Sequence, residues 1–138
     1  PDHVWDAAEV STWGLDGTTV PVYLPGPDMY RMDDPASFLP MSPPDFVGEW
    51  VKPTDLREMP ADSVELTPGV WIRMVPAPGH TEGSAVFLGH SPLDIRVNNQ
   101  SFYANEECVP WALSADVLFK DSVGRTDMPG GDETQMRH

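Results

Sequence analysis

The chain has 138 residues and a mass of 15.2 kDa, which is the size of one ordinary domain. Eight Lys and Arg stand against 22 Asp and Glu, and the formal charge of −14 argues against nucleic acid or an anionic membrane surface as the main partner. The mean hydropathy is −0.33 and no run of about 18 apolar residues occurs, which excludes a membrane-spanning helix.

Cysteine and proline usage narrow the class of protein further. The single Cys108 leaves no partner for an intramolecular disulfide and favours a reducing compartment, so a cytoplasmic location is expected. The 16 Pro and 11 Gly indicate a loop-rich fold that contains strands rather than a helical bundle.

The predicted elements are short and separated by turn-forming residues. Apolar spacing predicts a helix over His3–Trp13 that ends at Gly14, and a helical turn over Asp28–Asp34 that is closed by Pro35. Apolar and β-branched runs predict four strands, at Thr18–Leu24, Ser63–Leu66, Val70–Val75 and Ser84–Leu88.

Polar, Pro-rich and Gly-rich stretches fill the remaining length. Pro35–Pro60 is predicted to be an irregular surface connection with at most a short helix. Gly89–Pro110 is interpreted as a hairpin excursion, and Ser122–Asp132 as a loop.

Two isolated ionisable residues are candidates for chemistry. His80 follows Pro-Gly directly after the strongest predicted strand, where small neighbours can place one imidazole at a strand end, although an exposed loop histidine fits the same spacing. Asp116 lies between the apolar segments Trp111–Leu113 and Val117–Phe119, and a lone acid there is rarely buried unless it is paired or bound to metal.

Two further pairs are weaker candidates. The adjacent Asp2 and His3 could ligate one zinc, iron or manganese ion, or could simply be a solvated chain end. Arg125 and Asp127 lie two apart in a Gly-rich loop, where they could brace each other or a nearby site, or form an exposed ion pair of little energetic value.

Four segments together carry a resemblance to a known family. Pro1–His3 is similar to the end of a His-x-His-x-Asp-His motif, and Pro78–Ser84 matches Pro-Gly-His-Thr-x-Gly-Ser. Ser114–Phe119 matches Ser-Gly-Asp-x-Leu-Phe with Ala115 in place of Gly, and Val123–Asp132 matches a Gly-Arg-Thr-Asp-x-Pro-Gly-Gly-Asp loop. The chain therefore resembles metallo-β-lactamase-fold hydrolases of the hydroxyacylglutathione hydrolase (glyoxalase II) type.

The resemblance implies an α/β fold, the metallo-β-lactamase αββα sandwich, in which two mixed sheets lie face to face with helices outside. It implies that residues 1–138 form a single domain of this type, truncated at both ends, with Gly89–Pro110 as an insertion. The family's two upstream histidines and its last metal-binding histidine have no counterpart, and His90 and His138 match no family ligand.

The resemblance also implies a two-metal site. His80 would bind one ion, Asp2 and His3 the other, and Asp116 would bridge them, with Asp2 also assigned a catalytic role. The expected cofactor is Zn²⁺, two per intact site, with iron or manganese as alternatives. A water between the ions would act as a hydroxide at pH 7 and attack a carbonyl carbon.

The implied substrate is a small-molecule thioester such as S-lactoylglutathione, because a thiolate leaves without a strong general acid. Arg125 and Asp127 would shape the loop beside the site rather than bind metal. Since several family ligands are missing, the chain alone is expected to be a poor enzyme.

Two other functions stay open. A persulfide dioxygenase, which is a relative with the same loop, would hold one iron on two histidines and one aspartate, of which only His80 and Asp116 are present. A non-catalytic fragment or interaction module is the second alternative. Metal content separates the three, because it distinguishes zinc, iron and no metal.

Overall fold

The structure is a computed structural model, and it describes residues 3–39, 48–92, 96–97, 100–101 and 109–137. The ten strands of the described residues are β1 Val22–Leu24, β2 Leu56–Glu58, β3 Val64–Thr67, β4 Val70–Pro76, β5 Ala85–Ser91, β6 Arg96–Val97, β7 Gln100–Ser101, β8 Val109–Leu113, β9 Leu118–Phe119 and β10 Ser122–Val123. Two α-helices, α1 Ala7–Ser11 and α2 Glu133–Met136, and 3₁₀ helices at Leu15–Gly17, Gly26–Met32 and Pro35–Phe38 complete the described elements.

A four-stranded antiparallel sheet in the order β3-β4-β5-β8 is the largest element. Short connections make these strands antiparallel neighbours: Gly69, at a φ of 80°, lies in the turn between β3 and β4, and residues 77–84 join β4 to β5. The second connection contains His80, so the sheet presents this histidine at one of its ends.

One face of this sheet is organised around an indole ring. Gly89 in β5 lies opposite Trp111 in β8, and a Cβ at Gly89 would overlap the Trp111 ring, so the missing side chain makes room for the indole. The Trp111 Nε1 donates a hydrogen bond of 3.0 Å to the Ser91 Oγ. The buried apolar residues among those described are few: Met32, Met59, Ala85, Val109 and Val117.

Three further two-stranded pairs occur among the described residues. β1 and β2 pair in parallel, while β6 pairs with β7 and β9 with β10 in antiparallel fashion. The β9–β10 hairpin turns at Asp121, whose φ is 68°. This hairpin lies between Asp116 and Gly124 in the chain and brings these two residues back towards each other.

The expected αββα sandwich is wrong for this chain. The described residues are mostly antiparallel strands, and their α-helices have only five and four residues. An outer helical layer needs longer amphipathic helices, since helices in globular proteins average about 11–12 residues. The described residues therefore contain segments that match the family's motifs without helices long enough to form an outer layer.

Individual elements follow the sequence to different degrees. The strands predicted at Val70–Val75 and Ser84–Leu88 are confirmed as β4 and β5, and the predicted helical turn over Asp28–Asp34 overlaps the 3₁₀ helix Gly26–Met32. The helix predicted over His3–Trp13 is limited to the five residues of α1. No helix in the described part of the chain has the length and apolar character that crossing a membrane would need.

Candidate functional site

The carboxylate of Asp116 lies between two imidazole rings from distant parts of the chain. The His80 Nε2 is 3.4 Å from one carboxylate oxygen (Oδ2), and the His3 Nε2 is 3.6 Å from the other (Oδ1). The side chains of Asp116 and His80 are 31% and 21% exposed, whereas that of His3 is 52% exposed. The cluster is therefore sheltered on the His80 side and open on the His3 side.

A tight turn holds His80 in place. The Gly79 amide donates to the Thr81 carbonyl (3.1 Å), and the Ala77 amide donates to the Ser84 carbonyl (2.8 Å). Gly79 has a φ of 145°, and a Cβ there would lie 2.7 Å from the Cα of Met136, so this glycine is required by both conformation and space. The Pro-Gly-His sequence thus builds a rigid corner with the imidazole at its apex.

The hydrogen bond of the second His80 nitrogen fixes the tautomer of its ring. The Nδ1 lies 2.8 Å from the backbone carbonyl oxygen of Arg125, and a carbonyl can only accept, so the Nδ1 carries the proton. In the neutral ring, the Nε2 then presents its lone pair towards Asp116. Metal-binding histidines commonly donate their other ring N–H to a carbonyl in this way.

Asp116 lies in a turn between β8 and β9. The Val117 amide donates to the Ser114 carbonyl (2.9 Å), and the Ser114 Oγ donates to the Leu118 carbonyl (3.0 Å). Ala115 adopts a φ of 42°, which belongs to the left-handed region that favours glycine. The turn therefore has the conformation of a Gly-Asp pair although the sequence supplies Ala-Asp.

We expect Ala115→Gly to leave the free energy of unfolding unchanged or to raise it by up to about 1 kcal/mol, because glycine removes the left-handed strain while adding backbone entropy to the unfolded chain. Ala112→Gly in β8 is the matched control, and it should lose about 0.5–1 kcal/mol. Urea denaturation of both variants checks this. Equal losses in the two would contradict the strain assigned to Ala115.

Gly124 closes the site from beneath. Its amide donates to the Val117 carbonyl (3.1 Å), and a Cβ at this position would overlap the carbonyl oxygen of Asp116 and lie 3.3 Å from the His80 Cβ. Only a glycine at position 124 lets the turns that carry Asp116 and His80 approach it this closely.

Arg125 and Asp127 form an exposed pair beside His80. The Arg125 Nε and Nη2 donate to the two oxygens of Asp127, each at 2.7 Å. These bonds from Arg125, together with a backbone hydrogen bond, lower the pKa of Asp127 to about 2. The side chains hold each other while the Arg125 carbonyl holds His80, which agrees with a loop-shaping role.

We expect the Asp127 carboxyl group to stay ionised throughout pH 3–5 in the folded protein. Its pKa is lowered on folding, so the pair contributes stability above the ordinary value of 3.8, and this contribution is lost as the pH falls towards about 2. An NMR pH titration of the carboxyl carbon measures this. Arg125→Gln should raise the midpoint towards 3.8, with the backbone hydrogen bond keeping it somewhat lower, and a wild-type midpoint at 3.8 would contradict the pairing.

The cluster matches part of a metal coordination sphere. Two ligand atoms bound at about 2.1 Å to one tetrahedral ion lie about 3.4 Å apart, close to the observed His80–Asp116 distance of 3.4 Å and longer than a normal N–H···O hydrogen bond. In the parts of the chain that the structure describes, no group of three or more His, Cys, Asp or Glu is arranged to hold an ion. The residues therefore fit a metal as a partial ligand set.

Among the other residues considered from the sequence, His90 lies away from this cluster. Asp2, to which a metal-binding and catalytic role is assigned, and His138 lie outside the described residues. His90 lies in β5 at the end away from the His80 turn, where its ring stacks on Trp71 at 6.3 Å between centroids.

Sequence reasoning missed two residues that support the His80 turn. Asp28 accepts hydrogen bonds from the Thr81 hydroxyl (2.5 Å) and the Gly83 amide (3.1 Å), and Arg31 donates to Asp28 (2.9 Å). The only signal in the sequence is the i, i+3 spacing of this acid and base in a predicted helical turn.

Comparison with known proteins gives relatives but no function. No protein-family model matches the chain. It is similar to an uncharacterised protein of Mycobacterium leprae (30% identical over 134 residues) and to uncharacterised proteins of Mycobacterium bovis and Mycobacterium tuberculosis (29% identical). The match covers 94% of this chain and 52% of each relative. The chain thus spans about half the length of the curated relatives it matches.

Proposed function

We propose that this chain belongs to a metal-dependent hydrolase that cleaves a small-molecule thioester such as S-lactoylglutathione. The observation that carries the proposal is the Asp116 carboxylate, whose two oxygens face the Nε2 atoms of His80 and His3 at 3.4 and 3.6 Å. The motif resemblance to hydroxyacylglutathione hydrolases supports the choice of substrate class. A cytoplasmic location is part of the same proposal and rests on the single Cys108.

The ligand set proposed for zinc is His80, His3, Asp116 and Asp2, with iron or manganese as alternative ions. Bound there, the metal would supply Lewis-acid activation of a water molecule and of the thioester carbonyl. His80 would offer its Nε2 as the ligand atom, because the Arg125 carbonyl keeps a proton on Nδ1. Asp116 would offer a carboxylate whose two oxygens face the two imidazoles.

The geometry favours a pair of ions over a single ion. Each oxygen of Asp116 faces a different imidazole, which suits a carboxylate that bridges two metals. A persulfide dioxygenase would instead need both imidazoles to bind one iron together with Asp116. The separation of the two imidazoles onto different oxygens of Asp116 therefore supports the hydrolase, and the dioxygenase becomes an outcome of the test.

A thioester is the substrate class whose cleavage needs the fewest functional groups at this site. A thiolate leaving group needs no strong general acid, and the side chains of the described cluster are two imidazoles and a carboxylate. The half-exposed His3 leaves one side open to a small substrate. The amide or ether bond of other substrates would need a proton donor aimed at the leaving atom.

The deciding experiment measures metal binding and thiol release by the purified chain. We expect the chain to bind zinc weakly enough for a chelator to remove it, since the described ligand set is partial. We expect S-lactoylglutathione to be cleaved slowly, at a rate well below the ~10 per second of a typical enzyme. An oxygen ester of the same acyl group is the control for general esterase activity. Iron binding with oxygen uptake on a glutathione persulfide would favour the dioxygenase, and no metal binding would favour a non-catalytic module.

A further inference from the structure

Arg31 is a largely buried cation that meets several segments of the chain at once. Its side chain is 13% exposed, and the guanidinium carbon lies 4.6 Å from the ring centre of Phe38 and 5.3 Å from that of Tyr30. Its Nε donates to Asp28 (2.9 Å), and its Nη2 donates to Glu82 (3.2 Å) and to the Pro129 carbonyl (3.0 Å). A side chain this sheltered, with three hydrogen bonds to three segments, is held in one position.

Two partners of Arg31, Glu82 and Pro129, lie in the two loops that position His80, and a third, Asp28, bonds to the first of these loops. Asp28 links Arg31 to the His80 turn, because its carboxylate accepts hydrogen bonds from the Thr81 hydroxyl and the Gly83 amide. Pro129 belongs to the loop that begins at Arg125, whose carbonyl accepts the His80 Nδ1–H bond. Arg31 therefore spans from the turn that carries the imidazole to the loop that fixes its tautomer.

The glycines of both loops are shaped around this group. A Cβ at Gly130, which has a φ of 84°, would overlap the Arg31 Nη2, and a Cβ at Gly83 would lie 2.6 Å from the Asp28 carboxyl carbon. The Tyr30 hydroxyl donates to Glu82 at 2.6 Å, and this bond, followed by that from Arg31, lowers the pKa of Glu82 and keeps it charged. The contact of Arg31 with the two loops is therefore closely packed as well as hydrogen-bonded.

We propose that Arg31 is a positioning residue that locks the His80 turn against the 125–132 loop and thereby keeps His80 in the Nδ1–H tautomer, with the Nε2 facing Asp116. This rests on the proposed function only for the purpose that the tautomer serves. The lock itself is a property of the protein without metal, so it is testable whether or not zinc binds.

The test reads the tautomer directly by long-range ¹H–¹⁵N correlation of the histidine rings, with His80 assigned from the His80→Gln variant. In the wild-type chain we expect His80 to be predominantly Nδ1-protonated. In Arg31→Lys and Arg31→Met we expect at least half of this population to shift to the Nε2–H form or to exchange between the two, because Met forms no such hydrogen bonds and Lys lacks the planar guanidinium fork that reaches Asp28, Glu82 and Pro129 together. Zinc affinity should fall by about 10- to 100-fold in the same variants.

Arg57→Lys is the matched control, since Arg57 forms a bidentate but exposed pair with Asp55, and it should leave the tautomer and zinc affinity unchanged. If Arg31→Met does not fold by circular dichroism, Arg31→Lys and Glu82→Gln decide the outcome, with a smaller shift in the same direction expected. An unchanged His80 tautomer in folded variants would overturn the proposal. Failure of the wild-type chain to bind zinc would instead count against the proposed hydrolase alone.

Discussion

Asp116→Asn is expected to abolish zinc binding and any thioesterase activity together. The wild-type carboxylate offers one oxygen to His80 and the other to His3, and it carries the negative charge of the cluster. Asparagine keeps one oxygen, replaces the other with an amide NH₂ that cannot bind a cation, and removes the charge. Since changing a residue that merely orients a ligand costs about 10- to 100-fold in metal affinity, loss of a carboxylate proposed as a metal ligand should cost at least about 100-fold.

Competition with a chromogenic chelator measures the affinity of the Asp116→Asn variant, and thiol release measures its activity. Asp127→Asn is the control, because its carboxylate is 67% exposed and already bonded to Arg125. The Asp127→Asn variant should keep zinc affinity within about threefold of the wild type, because Asp127 is not a proposed ligand. Changing a residue that orients a metal ligand would lower the affinity about tenfold or more. Metal loss in Asp127→Asn as complete as in Asp116→Asn would show that Asp127 is a ligand after all.

Strands with an alternating pattern could be predicted because their signal is local. In Val70–Val75, successive side chains are predicted to point to opposite faces of a strand. The structure forms β4 over the same residues and one more. β2 was missed because Leu56–Glu58 has a single apolar residue and lies among prolines, and its strand conformation depends on parallel pairing with β1, more than 30 positions away. No local pattern records such a pairing.

The helix at the beginning of the chain shows the opposite error. Apolar spacing predicts a helix over His3–Trp13, but the helical segment α1 begins only at Ala7 and ends at Ser11. His3 lies before α1, in the turn that precedes it, which is the position from which its ring reaches Asp116. A longer helix would have changed the direction of this side chain.

The site could be predicted further than the fold because turn motifs fix geometry over a few residues. Gly79 and Gly124 act through left-handed backbone or close approach, and these requirements are written in the sequence as glycine. The family resemblance pointed to His80 and Asp116, which the structure places side by side. It also implied outer helical layers, which depend on long amphipathic helices that the described residues do not form. Motifs of six to ten residues do not determine layers.

Gly124→Ala is the substitution expected to damage both the fold and the site. The new Cβ would overlap the backbone carbonyl oxygen of Asp116 and lie 3.3 Å from the His80 Cβ. A backbone carbonyl cannot rotate away as the end of a flexible side chain can, so the β9–β10 hairpin and the Asp116 turn must separate. Overpacking of this kind costs about 1–3 kcal/mol, and we expect a loss of about 2–3 kcal/mol in the free energy of unfolding.

The same displacement should widen the 3.4 Å gap between the His80 Nε2 and Asp116 and lower zinc affinity by about tenfold or more. Gly48→Ala is the control, because no atom lies within 4 Å of a Cβ at that position, and its free energy of unfolding should stay level or rise slightly. Urea denaturation and chelator competition, run on both variants, measure the two effects separately. If Gly124→Ala proved as stable as Gly48→Ala and bound zinc as well as the wild type, the close approach of Gly124 to Asp116 and His80 would have no part in holding the cluster together.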